Sequence, residues 1–171
     1  RINSNLVKDA QLSGMIPLKV GNLGNQANIQ LMPWPAFPLL NGNPTNLITK
    51  NLDAIYGRFV SSIDTISGVR LRKTPLLRTS PYTQVAKAPT LLSFSSAGKD
   101  FDPEAYTAGV QTVGYLVEGM FRSAFPYANQ DTNFVAQGKT SSAIILVGDG
   151  DIALNEVNYA AKQALPLGFD P

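Results

Sequence analysis

Residues 141–155 constrain the fold more than any other stretch. Four large apolar residues, Ile144-Ile145-Leu146-Val147, stand between the polar pair Ser141-Ser142 and the turn-forming Gly148-Asp149-Gly150-Asp151. Such a run predicts a strand buried on both faces, as in a parallel sheet. Asp151 is then a good helix N-cap, and Leu154, Val157, Ala161 and Leu165 recur at helical spacing until Pro166 stops the pattern. A strand feeding a helix through a tight turn is half of a βαβ unit. Ligands of such sheets gather at the carboxyl ends of the strands, where Asp149 and Asp151 would lie.

The rest of the chain extends this expectation. Ser4 or Asn3 can cap a short helix through Leu6, Val7 and Ala10 that Gly14 ends. Residues 15–20 and 29–32 read as short strands separated by a turn around Gly24-Asn25, the second entering Pro33-Trp34-Pro35-Ala36-Phe37-Pro38. Three prolines in six residues impose an extended path. The stiff stretch is read as pinning Trp34 and Phe37 on the core in preference to a Pro-x-x-Pro ligand. Thr45 can cap a short helix over residues 46–52, and residues 58–66 suggest a strand with one wetter face. Pro75 places residues 74–79 at a strand start or an edge. Asp102-Pro103-Glu104 opens a short helix, and residues 110–125 alternate as a long strand bent at Gly119. Strands and short helices in alternation predict an α/β fold, three-layered, with a mostly parallel sheet flanked by helices.

Length and composition bound the function. The 171 residues suit one domain, and 44% hydrophobic against 15% charged residues argues against disorder. A net charge of +2 is too small to imply a nucleic-acid partner. The chain has no histidine and no cysteine, which excludes imidazole triads, thiol nucleophiles and zinc clusters built on those side chains. No apolar run approaches the roughly 18 residues of a membrane span, and a chain opening on Arg1 reads as a piece of something longer.

The acidic turn invites two chemical readings and a structural one. Gly148-Asp149-Gly150-Asp151-Ile152-Ala153 fits a dinucleotide fingerprint in spacing, yet two carboxylates would repel the pyrophosphate. Strand-Asp149-x-Asp151 also matches metal-dependent phosphatases and nucleotide-sugar transferases, whose paired acids hold a divalent cation. Too few residues follow to supply the further groups such enzymes need. The preferred reading is structural: Asp151 caps a helix and Asp149 hydrogen-bonds turn amides. No catalytic, metal or cofactor residues are therefore assigned, and Asp149, Asp151 and Trp34 stand as candidate contacts for a ligand or partner.

Seven ordered segments carry a family resemblance: Arg1 to Asp9, Met32 to Leu40, Lys50 to Asp53, Phe59 to Ile66, Lys73 to Tyr82, Gly148 to Asp151 and Pro166 to Asp170. In this order they resemble the gliding-motility-associated ABC transporter auxiliary proteins, the GldG family of gliding Bacteroidetes, often labelled substrate-binding components. The resemblance implies a membrane-anchored protein whose soluble part faces the periplasm from the inner membrane and works beside an ATPase and a permease. It also implies a fold like that of glutamine-amidotransferase-like domains, here as one truncated domain over residues 1–171. Membrane contact would come only from segments outside this chain. Missing flanking strands would leave part of the sheet absent or replaced by homodimer contacts. No amidotransferase activity follows, because the required cysteine and histidine are absent. The resemblance thus implies a non-catalytic binding component, with a metal-dependent phosphatase-like or glycosyltransferase-like enzyme as the alternative.

Overall fold

The computed structural model describes residues 1–67, 70–125, 134–154, 157–158 and 162–164. Ten strands account for its regular structure: β1 (Asn5–Asp9), β2 (Ser13–Leu23), β3 (Gln26–Gly42), β4 (Ile55–Tyr56), β5 (Arg72–Arg78), β6 (Thr83–Lys87), β7 (Thr112–Gly119), β8 (Ser142–Val147), β9 (Val157–Asn158) and β10 (Gln163–Ala164). A curled sheet runs in the order β2-β3-β5-β7-β8, with β4 attached to β3. Every pairing in it is antiparallel. β1 pairs antiparallel with β6 as a separate ribbon, and β9 with β10 as a small hairpin.

The expected helix-flanked parallel sheet is therefore wrong. A parallel pair needs a crossover of a dozen or more residues, usually a helix, whereas antiparallel neighbours need only a turn. Among the described residues the only helices are two short 3-10 turns, Phe94–Ser96 and Pro103–Ala105. None is long and apolar enough to cross a membrane. The second turn begins as read, with Asp102 accepting from the Glu104 N–H at 3.0 Å, but ends at Ala105.

Two helical readings fail because strand pairing overrides local pattern, with a distant partner in the first case and a short local hairpin in the second. Residues 5–9 form β1, because Val7 is held against Val85 of β6 and its N–H donates to the Val60 carbonyl at 2.9 Å. After Asp151 the chain makes one turn, in which the Leu154 N–H donates to the Asp151 carbonyl at 2.8 Å, and β9 and β10 follow. Ala161, Leu165 and Pro166 lie outside the described residues. Residues 46–52 form consecutive turns rather than a helix, organised by the side chains of Asn43 and Asn46.

The long hairpin β2-β3 follows the expected extended segments, and β3 incorporates Pro33, Pro35 and Pro38. Pro75 sits inside β5, opposite Tyr115, beside a register shift; its carbonyl accepts from the Asn43 side chain at 2.9 Å. β7 ends at Gly119, whose φ of 141° is open to glycine and strained for other residues. Val7, Leu40, Val60, Leu76, Leu77, Val113 and Leu116 form the main core between the β1-β6 ribbon and the large sheet. Burying side chains of this kind stabilises by about 1.5–3 kcal/mol each.

The strand in residues 142–147 exists, but it is not buried on both faces. Among the described residues β8 is the last strand of the sheet, and Ile144 and Ile145 are 50% and 52% exposed.

Candidate functional site

The site is assembled by residues 57–64, most of the stretch 58–66 that the pattern of Phe59, Val60, Ile63 and Ile66 predicts as a strand. They are extended but lace several elements together instead of joining one ladder. Gly57 N–H donates to Pro38 on β3, Ser61 N–H to Gly148 beyond β8 at 2.7 Å, and Ile63 N–H to Thr112 on β7 at 2.8 Å. Ser62 receives the side-chain amides of Asn3 and Asn5 on its hydroxyl, each at 3.0 Å.

Asp149 lies at one end of this lacing. It is 8% exposed, with Oδ2 accepting the Arg58 N–H at 3.0 Å and Oδ1 accepting the Asp151 N–H at 2.8 Å. The reading that Asp149 holds turn amides is correct, and one of those amides comes from a segment far away in sequence. Gly148 makes this approach feasible, since a Cβ there would overlap the Ser61 carbonyl oxygen. Asp151 does not cap a helix; its side chain is exposed and its N–H belongs to the turn that Asp149 closes. Among the described residues, no group of three or more acidic side chains converges to hold a metal ion.

Trp34 lies at the other end, on β3 and 3% exposed. Its ring meets Phe37 at 5.0 Å, Phe59 at 5.9 Å and Phe94 at 4.9 Å between centroids, and Phe59 meets Phe37 at 4.8 Å. Its indole N–H donates to the Ser96 hydroxyl at 3.1 Å. Such pairs add about 0.5–1.5 kcal/mol each beyond area burial. Phe59 adopts φ 53°, a costly backbone that brings its ring to Trp34 while the preceding residue gives its N–H to Asp149. The two candidate positions, 115 residues apart, are thus joined through Arg58-Phe59, and Trp34 is a buried packing residue.

A third centre was not singled out from the residues alone. Asp9, fully buried at the end of β1, accepts four hydrogen bonds: from the N–H groups of Gln11 (3.0 Å), Leu12 (2.9 Å) and Ser80 (2.7 Å), and from the Ser80 hydroxyl (2.7 Å). These donors satisfy the buried side chain from two separate loops. Nearby Tyr106 has its phenol pushed above the usual tyrosine range, first by burial and then by the negative charge of Asp9. Lys8, Trp34, Ser93, Ser96 and Tyr106 line a cleft of about 190 Å³ on this side. Gln11 and Leu12 are close in sequence, but Ser80 lies 71 residues from Asp9, so no local spacing reveals the centre. The useful signal was that two segments carrying the family resemblance, residues 1–9 and 73–82, contain Asp9 and Ser80.

Of the other acids, Asp102 caps its own turn and Glu118 pairs with Arg72 at 2.6 Å on the sheet surface. The arrangement can hold loops and present surfaces, and its two buried carboxylates are engaged by backbone donors.

No curated protein and no solved structure shows a significant match to the chain. The model of the ABC transporter auxiliary family, described as an ABC-type uncharacterized transport system, matches residues 1–171. The chain therefore belongs to that family and is a component of an ABC transport system.

Proposed function

We propose that this chain is a non-catalytic, extracytoplasmic component of its ABC transport system, acting by binding a partner protein in a complex with the permease and ATPase. The observation that carries this reading is the family match over residues 1–171. The geometry adds support, because Asp149 uses both oxygens on backbone amides and is engaged in folding. Contacts to the partner would come from the exposed turn at Asp151 and from the cleft beside Trp34. The association with gliding motility, the periplasmic face of the inner membrane and the bacterial group rest on the seven-segment resemblance.

Co-purification of the tagged protein with the permease of its transport system tests this reading. Recovery of permease and ATPase, reduced by Asp151→Arg, is expected. Recovery of neither with a folded protein would contradict it.

A further inference from the structure

Among the described residues, β8 has the composition of a central strand and the position of an edge strand. Ser142-Ala143-Ile144-Ile145-Leu146-Val147 contains no charge, proline or glycine, and pairs with β7 in regular register. Edge strands in monomers are normally guarded by charges, prolines or bulges. β8 has none, and it is apolar on both faces. Ile144 lies opposite Val117, and Leu146 opposite Tyr115, on the face that carries an apolar groove of about 190 Å³; Ile145 lies opposite Leu116 on the core face.

The phase of the free edge follows from one bond. Gly148 N–H donates to the Val113 carbonyl of β7 at 2.8 Å, continuing the ladder by one residue. Alternation then turns the N–H and C=O groups of Ala143, Ile145 and Val147 away from β7.

The geometry points to a second copy of this chain as the occupant of that edge, paired β8 to β8 antiparallel across a two-fold axis at Ile145. This register sets Ala143 opposite Val147 of the other copy and forms about six backbone hydrogen bonds. It also discriminates between occupants. Lys139 precedes the strand and Asp151 follows it at equal distance from Ile145, both exposed. Antiparallel pairing of identical strands therefore brings Lys139 of each copy to the Asp151 turn of the other, so the charges complement each other twice; a parallel copy would oppose like charges. One six-residue edge covers less than the roughly 800 Å² per partner of a standard interface, so the dimer is weak, with a micromolar Kd. This inference does not depend on the proposed transport role.

Sedimentation velocity from about 5 to 500 μM spans that affinity range and is the test. A concentration-dependent species of twice the chain mass is expected. Ala143→Pro, which removes only an outward N–H, and Ile145→Lys, which places two cations on the axis, should each abolish it while the circular dichroism spectrum is unchanged. Lys139→Glu and Asp151→Lys should each weaken dimerisation about tenfold, and the double exchange should restore it. A monomer throughout the range, a dimer indifferent to both strand variants, or a double exchange that fails to rescue would overturn the proposal.

Discussion

Asp149 accepts the backbone N–H of Arg58 at 3.0 Å across 91 residues of chain, and its other oxygen closes the turn at Asp151. One side chain therefore ties the end of β8 to the segment that carries Phe59 to Trp34. Asp149→Ala leaves two donors without their acceptor and should lower stability by about 1–3 kcal/mol. Chemical denaturation would show this as a lower midpoint at unchanged slope. An unaltered midpoint would mean that the latch carries no weight.

Gly148 and Gly150 flank Asp149 but differ in surroundings. A Cβ at Gly148 would overlap the Ser61 carbonyl, while one at Gly150 meets nothing within 4 Å. Gly148→Ala should therefore cost about 1–3 kcal/mol or more, as overpacking does, with Gly150→Ala close to neutral. Equal effects in thermal unfolding would contradict the packing described at this corner.

Asp9 and Ser80 form the deeper polar centre. Asp9→Ala strands buried donors from two loops and should destabilise by about 3 kcal/mol or more. Ser80→Ala keeps the backbone donor and should cost about 1–2 kcal/mol. A double-mutant cycle read by denaturant unfolding should give a coupling of about 1 kcal/mol or more, and additivity would refute the pairing.

Tyr106 sets an alkaline limit. Its folded pKa lies above the unfolded value near 10, so the folded state retains the proton that the unfolded state loses. The resulting stability is complete below pH about 10 and falls as pH rises through the raised folded value. Tyr106→Phe should flatten this decline in a pH series of melting temperatures. A decline just as steep in the variant would assign it to other groups.

What was legible in the sequence was local. Gly24-Asn25 and the prolines around Trp34 marked the β2-β3 hairpin, and Gly148 to Asp151 marked a turn after a strand. The class of sheet was not legible, because Leu154 and Val157 fit helical spacing equally well while a hairpin of β9 and β10 follows. Leu6 and Val7 likewise suited a helix until β6, some 78 residues on, supplied a partner for Val7 at Val85. Edge and centre also look alike along a chain. Ile144 and Ile145 would have the same composition in either place, and only the absence of a described strand beyond β8 separates them. Asp9 escaped notice because every contact that gives it meaning spans either a tight turn or 71 residues.

Calorimetric titration of magnesium and manganese into the protein and its Asp149→Asn variant tests most directly whether the acidic corner serves the fold alone. Neither protein should give a saturable isotherm, and the variant should differ only in stability. Binding at micromolar affinity that Asp149→Asn abolishes would show instead that the corner holds a cation, and would restore the enzymatic reading.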